Sequence, residues 1–443
     1  MTAGVSPLPG PVWHRVEGVE LLGPVTGSGL TQVTCLVRRH DGQVIQLSEL
    51  LNLILAKAEG DQTTTELAAR VSTAYGRELT AEGLDLLIDA KLKPLGLISA
   101  EPEGALEPAP ATPLPKADPL LALRLRGTLL PASTVRRIAA ALSPVYAPVV
   151  VIAAILGLVA MDIHLFITAD AVAALDQVII RPVEFLFLYA LLTTGAIIHE
   201  IGHATACHYG GARPGKIGVG LYLVFPAFFT NVTDSYRLGR AGRLRTDLGG
   251  LYFNTLCVLA AGIGYLLGGN GLLLLLVILM QLQMMQQLPP IIRLDGYYVL
   301  ADLAGVPDLF NRVGPVLRGL RPGATKDPRL TELRTTARWI VTIWVITVVP
   351  LLVFALAWTL WTLPVVVPRI IDGIRLHART AATACQQGLI PETILAGLSI
   401  FFLALPLAGL AVVLGQLGLR LGRAITRRHR KHHPRRSSSI KSA

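Results

Sequence analysis

Hydrophobic and polar positions divide the 443-residue chain into three regimes. Up to about residue 99 they alternate over short distances. Val19 to Leu22, Gln32 to Val37 and Gln43 to Leu47 read as short strands, the last two joined by a turn at His40, Asp41 and Gly42. Three helical patterns follow. Ser48 caps a run through Leu50, Leu51, Leu53 and Ile54; Thr63 and Glu66 form a capping box before Leu67, Val71 and Tyr75; Thr80 opens a third run with Leu84, Leu87, Ile88 and Leu92. This order predicts a small α+β, winged-helix-like domain over residues 1–100. Residues 101–133 then turn rich in Pro, Ala and Glu and read as an extended linker.

From 134 to 419 apolar runs dominate. Six stretches, at 144–167, 183–207, 246–268, 271–290, 337–363 and 391–416, approach the ~20 apolar residues that a bilayer requires. The expectation is a multi-pass α-helical membrane domain of about six spans. Lys216 to Asn231, KIGVGLYLVFPAFFTN, is apolar and β-rich but too short to cross. It reads as a re-entrant hairpin, tolerable in a bilayer only where protein buries it or a wet cavity adjoins it, with an extended edge able to pair with a substrate strand.

Composition sharpens this picture. With 52% hydrophobic and 16% charged residues, the chain is too apolar for an ordinary soluble protein. The net charge of +11 invites a nucleic-acid partner, but the cations fall mainly in connections between apolar runs and in the tail. Arg70 and Arg77 are too few to make the second helix of the N-terminal domain a phosphate-tracking face, so no nucleic acid is expected. The 208–245 connection holds Arg213, Lys216, Arg237, Arg240, Arg243 and Arg245, whereas 168–182 holds only Arg181. The positive-inside rule therefore puts both termini in the cytoplasm and the chain in the cytoplasmic membrane. The loop read at 364–390, with Arg369, Arg375 and Arg379, runs against that rule. The tail at 420–443, with RRHRKHHPRRSSS, reads as a disordered basic segment held to anionic lipid. Four cysteines without CxxC spacing indicate neither a disulfide framework nor a thiolate metal site. The opening residues lack the basic-then-apolar pattern of a signal peptide.

One stretch carries recognisable chemistry. In AIIHEIGHATA, His199 and His203 lie four residues apart, so a helix brings both imidazoles to one face beside Glu200. Two neutral imidazoles, an open coordination position and a carboxylate base are the parts of a zinc hydrolase. A third ligand has to come from elsewhere. Pro289 and Pro290 break the helical pattern just before Asp295 and Gly296, at the same depth as the histidines. Asp295 is the best candidate, the alternative being a plain Asp-Gly turn. Asp234, in TNVTDSYRL, reads as a turn or cap residue.

The chain resembles the site-2 protease family of intramembrane zinc metalloproteases across roughly residues 180–305. Three motifs carry the likeness: HEIGH at 199–203, the GxxxN of Gly250 and Asn254, and the PxxxLDG that ends at Asp295 and Gly296. FPAFFTNVTDSYRL and RLDGYYVLADLAGVP look closest to the family's bacterial branch of peptide zinc metalloproteases. The resemblance implies one catalytic zinc on His199, His203 and Asp295, with Glu200 as base. It also implies Asn254 as a donor to the substrate backbone or oxyanion, the alternative role being helix-helix contact in the membrane. One departure is Gln287, which stands where the family has Asn. The N-terminal domain resembles PqqD-like precursor-peptide recognition domains in its QLSELLNLIL, TTTELAARVSTAYG and LTAEGLDLLIDAKLKPLGLI segments. Such domains take up a leader peptide at a sheet edge.

Together these imply a zinc metalloendopeptidase that matures a ribosomally made peptide precursor, with export or modification partners nearby. The alternatives are cleavage of a membrane-tethered regulator such as an anti-sigma factor, and a non-catalytic zinc-binding membrane scaffold.

Overall fold

The computed structural model describes residues 12–39, 44–100, 124–179, 181–222, 225–306, 308–321, 323 and 327–432. The predicted turn at His40, Asp41 and Gly42 lies outside them. At the N-terminus, β1 (Val12–Arg15), β2 (Glu20–Pro24), β3 (Thr34–Arg38) and β4 (Val44–Ser48) lead into α1 (Glu49–Lys57), β5 (Glu59–Thr63), α2 (Thr64–Tyr75), α3 (Ala81–Leu87) and β6 (Ile98–Ser99). The strands form two antiparallel three-stranded sheets, ordered β5-β1-β6 and β2-β3-β4. The side chains of Ser48, Thr63 and Thr80 cap the three helices as their sequence positions require, and Thr63 with Glu66 closes a reciprocal capping box. The apolar faces of these helices meet the inner faces of the strands in one core, in which Ile54, Leu55, Val71, Leu84, Ile88 and Leu92 are fully buried. Each such side chain contributes about 1.5–3 kcal/mol of apolar burial. β1 and β5 were not legible: β5 reads EGDQT, and only its Gln62 is buried.

The remainder is mostly helical. It comprises β7 (Arg124–Leu130), α4 (Ala132–Leu142), α5 (Pro148–Thr168), α6 (Ala171–Ile179), α7 (Pro182–Tyr209), β8 (Ile217–Tyr222), β9 (Phe225–Thr230), α8 (Arg240–Asp247), α9 (Gly249–Gly268), α10 (Gly271–Gln287), α11 (Asp295–Ala304), α12 (Phe310–Gly319), α13 (Pro328–Thr331), α14 (Thr335–Gln386) and α15 (Ile390–His432). Among the described residues five helices are long and apolar enough to cross a membrane, namely α5, α7, α9, α14 and α15. The other stretch read as a span, α10, is apolar but only 17 residues long.

Three expectations change. The loop read at 364–390 is helical as far as Gln386, because α14 carries Pro350, Pro364 and Pro368 inside one 52-residue helix and then turns at Gly388 into α15. Proline deletes a single helical hydrogen bond, and in apolar surroundings leaving the helix altogether strands more backbone groups than that. The tail read as disordered is helical to His432, with 433–443 outside the described residues. The segment read as a linker ends in a strand: β7 pairs with β8, and β8 with β9, so the 216–231 hairpin gains a third strand and β9 becomes a sheet edge.

Three packing features set up the ground on which the histidines sit. α4 and the sheet are held to α7 by a small core of Val135, Ala139, Ala204 and Ile217. α7 and α9 cross at backbone contact, since a Cβ on Gly202 would lie 2.3 Å from the Gly249 carbonyl oxygen. Small residues permit that approach where lipid offers no hydrophobic drive between helices. The Tyr146 hydroxyl spans the crossing, 3.1 Å from the Gly202 oxygen and 3.2 Å from the Gly249 oxygen.

Candidate metal centre

His199 and His203 lie on consecutive turns of α7, both buried, with ring centroids 4.7 Å apart. Asp295, the first residue of α11, meets them from across the fold. Its Oδ2 is 3.2 Å from His199 Nε2, and its Oδ1 is 3.5 Å from His203 Nε2. One ligand atom from each of the three residues lies within 4.8 Å of the others.

The proton inventory shows what such a cluster suits. His203 Nδ1 sits 2.8 Å from the Thr246 carbonyl oxygen, so Nδ1 carries the proton and donates it. Its Nε2 therefore presents a lone pair, 3.1 Å from His199 Nε2. Lone pairs and a carboxylate converging in a buried space are relieved by a cation, and the imidazole and carboxylate set matches the ligands zinc takes.

Glu200 lies between the histidines on α7. The hydroxyl of Thr230, the last residue of β9, is 2.7 Å from Glu200 Oε2 and 2.8 Å from the Glu200 carbonyl oxygen. The edge strand thus ends on this carboxylate. On α9, a Cβ at Gly250 would lie 2.4 Å from His199 Nε2, so only glycine leaves the ring its place. Asn254 follows one turn on, buried, and its Nδ2 has no hydrogen-bond partner in the structure. Gln287 ends α10, with its Oε1 likewise unpartnered. Asp234, read as a turn residue, is buried: Oδ2 accepts from the Arg213 N–H at 2.7 Å, and Oδ1 pairs with Arg38 of β3.

Behind the histidines lies a second carboxylate pair. Burial, and then the neighbouring Asp302 of α11, push Asp247 at the end of α8 up to about 8. Asp302 is also raised, chiefly by burial, with Arg243 opposing. Two carboxyls so close share one proton near neutrality.

Sequence reading did not single out Thr230, Thr246 or Gly202. Thr246 acts through a main-chain carbonyl, which no side-chain pattern reports, and Thr230 reaches Glu200 only once the hairpin is folded against α7.

No family profile matches the chain, and no solved structure matches it significantly. Among curated proteins it is similar to YydH of Bacillus subtilis (strain 168), which bears the provisional name of a peptide zinc metalloprotease. The two are 29% identical over 106 residues, covering 24% of this chain and 42% of the relative. The match thus spans less than half of the relative's length.

Proposed function

We propose that this protein is a zinc metalloendopeptidase of the site-2-protease kind, cutting a peptide precursor at the cytoplasmic face of the membrane. The observation that carries the reading is the convergence of His199, His203 and Asp295 beside a Glu200 carboxylate that Thr230 already holds in place. The name of the Bacillus relative agrees with it.

A zinc ion bound by His199, His203 and Asp295 supplies the positive field that acidifies water and polarises a carbonyl. The remaining work belongs to the chain's own side chains. Glu200 Oε2 takes a proton from the attacking water as its oxygen bonds to the carbonyl carbon. It then delivers that proton to the amine nitrogen as the C–N bond breaks. The free amide N–H of Asn254 serves the developing oxyanion. A substrate strand added along β9, which pairs only with β8 among the described residues, ends its path at Glu200.

Replacing Glu200→Ala in the full chain is expected to leave fold and zinc content intact and to abolish precursor cleavage; retained cleavage sinks the proposal. The precursor class rests on the N-terminal domain. Among the described residues its β4 pairs with β3 alone, and Val44 and Gln46 on that strand line a cavity of about 190 Å³ with Tyr236, Arg243 and Asp302. A leader peptide should bind the Glu200→Ala chain and lose affinity on Val44→Glu. Equal affinity turns the reading towards a membrane-tethered regulator.

A further inference from the structure

The N-terminal domain touches the rest of the chain in a way that peptide capture alone does not require. Its β2–β3 loop, residues 25–33, reads VTGSGLTQV, a composition expected of a loose turn. The structure instead wedges it against the far end of the helix that begins at Asp295. The Gly29 N–H donates to the Gly305 carbonyl oxygen at 2.9 Å, directly beyond the last turn of α11. There is no room for a side chain on either partner. A Cβ on Gly29 would lie 2.1 Å from the Ala304 carbonyl oxygen, and one on Gly305 would lie 2.3 Å from the Gly29 nitrogen. Gly305 also holds a positive φ of 67°.

Arg243 of α8 ties this loop to both sides of the metal centre. Its guanidinium is buried, with Nε 2.9 Å from Asp302 Oδ1 and Nη1 3.0 Å from the carbonyl oxygens of Thr26 and Leu238. Three residues along α8, the Thr246 carbonyl receives the His203 Nδ1 proton. Asp302 lies seven residues, or two helical turns, along α11 from Asp295. A third tether runs from Arg38 of β3 to the buried Asp234, four residues beyond the Thr230 that holds Glu200. The loop also accepts from Arg240 of α8 at the Gly27 carbonyl oxygen, 3.1 Å, and bonds to Glu332 and Arg334, just ahead of α14.

We propose that the N-terminal domain positions the metal centre: its β2–β3 loop, acting through Arg243, sets the seat of Asp295 and His203, and Arg38 steadies the segment behind Thr230. Arg38 and Arg243 are positioning residues, outside the ligand set of His199, His203 and Asp295. A rigid ten-residue helix transmits a shift at its Gly305 end to Asp295 at the other, so disturbing the loop loosens a ligand about 15 Å away. The inference rests on the metal-centre reading above, and its test is chosen to fail separately from it.

The test is zinc affinity of the full-length chain in detergent, measured by competition with a chromophoric chelator. Three changes perturb the tethers, Gly29→Val, Arg243→Gln and Arg38→Glu, and Arg70→Glu, at an exposed position of α2, is the control. Outer-shell losses typically weaken metal binding by roughly 10–100-fold, and the expected effect of the first two lies in that range. Arg38→Glu should weaken binding less, and Arg38→Lys, which keeps a cation between Asp234 and Glu20, should leave it near wild type. Circular dichroism and gel filtration identify any variant that misfolds, in which case Arg38→Glu against Arg38→Lys decides alone, since both change the same side chain and only the first removes its cation. A wild-type chain without zinc affinity sinks the metal centre itself. Tight wild-type binding, matched by every folded variant, sinks the positioning role alone.

Discussion

Thr230→Val isolates the contact between β9 and the proposed base. Valine keeps the branched shape and strand preference of threonine and removes only the hydroxyl. That hydroxyl has one proton for two acceptors, the Glu200 carboxylate at 2.7 Å and the Glu200 carbonyl at 2.8 Å. A hydrogen bond to a charged group contributes about 1.5–3 kcal/mol, and dividing one proton between two oxygens puts the carboxylate's share near the lower figure. At about 1.36 kcal/mol per decade of rate, kcat should fall about tenfold. KM should not move, because the strand edge is intact. Removing the base outright costs about 10²–10⁴-fold, so Thr230→Val must fall between wild type and Glu200→Ala. The assay is precursor cleavage in proteoliposomes, followed by mass spectrometry over a range of substrate concentrations. Thr230→Ser, which retains the hydroxyl, should recover most of the rate. A Thr230→Val kcat within about twofold of wild type, with Glu200→Ala inactive, would refute the reasoning, because the hydroxyl would then contribute less than a third of a rate decade.

Other outcomes follow from the same geometry. Gly250→Ala forces a methyl to within 2.4 Å of His199 Nε2 and should weaken zinc binding by roughly 10–100-fold, whereas Gly268→Ala, on open space at the other end of α9, should leave it unchanged; chelator competition reads both. Asp247 keeps its proton in the folded protein to about 8 but loses it near 3.8 when unfolded, so the folded state holds an extra proton between those limits. Its contribution is full below the lower limit and is lost as pH rises towards the upper one. Melting temperature should therefore fall between pH 5 and pH 8, and Asp247→Asn should flatten that slope; an unchanged slope counts against a shared proton. Zinc removal by chelator should end cleavage while the far-ultraviolet helical signal stays, and cleavage that persists without metal would exclude a zinc mechanism.

What could be read in advance was what neighbouring residues determine. Ser48, Thr63 with Glu66, and Thr80 announce helix starts because a cap is a bond across three residues. The i, i+4 spacing of His199 and His203 likewise fixes a shared face, and the Pro-Pro break ahead of Asp295 marks irregular backbone. Legibility failed where distant segments decide. RLRGTLL becomes β7 only because β8 offers it an edge more than 80 residues later. VTGSGLTQV is an ordinary turn until Gly305 and Arg243 receive it. The stretch from 364 reads as a loop because its apolar run gives way to Arg369, Arg375 and Arg379, but the helix continues through Pro364 and Pro368 beside α15.

That unbroken helix has a consequence of scale. At 1.5 Å per residue its 52 residues measure about 78 Å, while a hydrocarbon layer of about 30 Å takes roughly 20 of them. Roughly thirty residues of it are therefore in excess of what one crossing takes. The charged stretch with Arg369, Asp372, Arg375 and Arg379 belongs to that excess, and the apolar run of α15 returns alongside it, with Leu403 packed against Gly373. The hairpin is therefore staggered: α14 carries its apolar length towards its start, α15 carries its own from the tip at Gly388 onwards, and the charged end of one helix lies against the apolar run of the other.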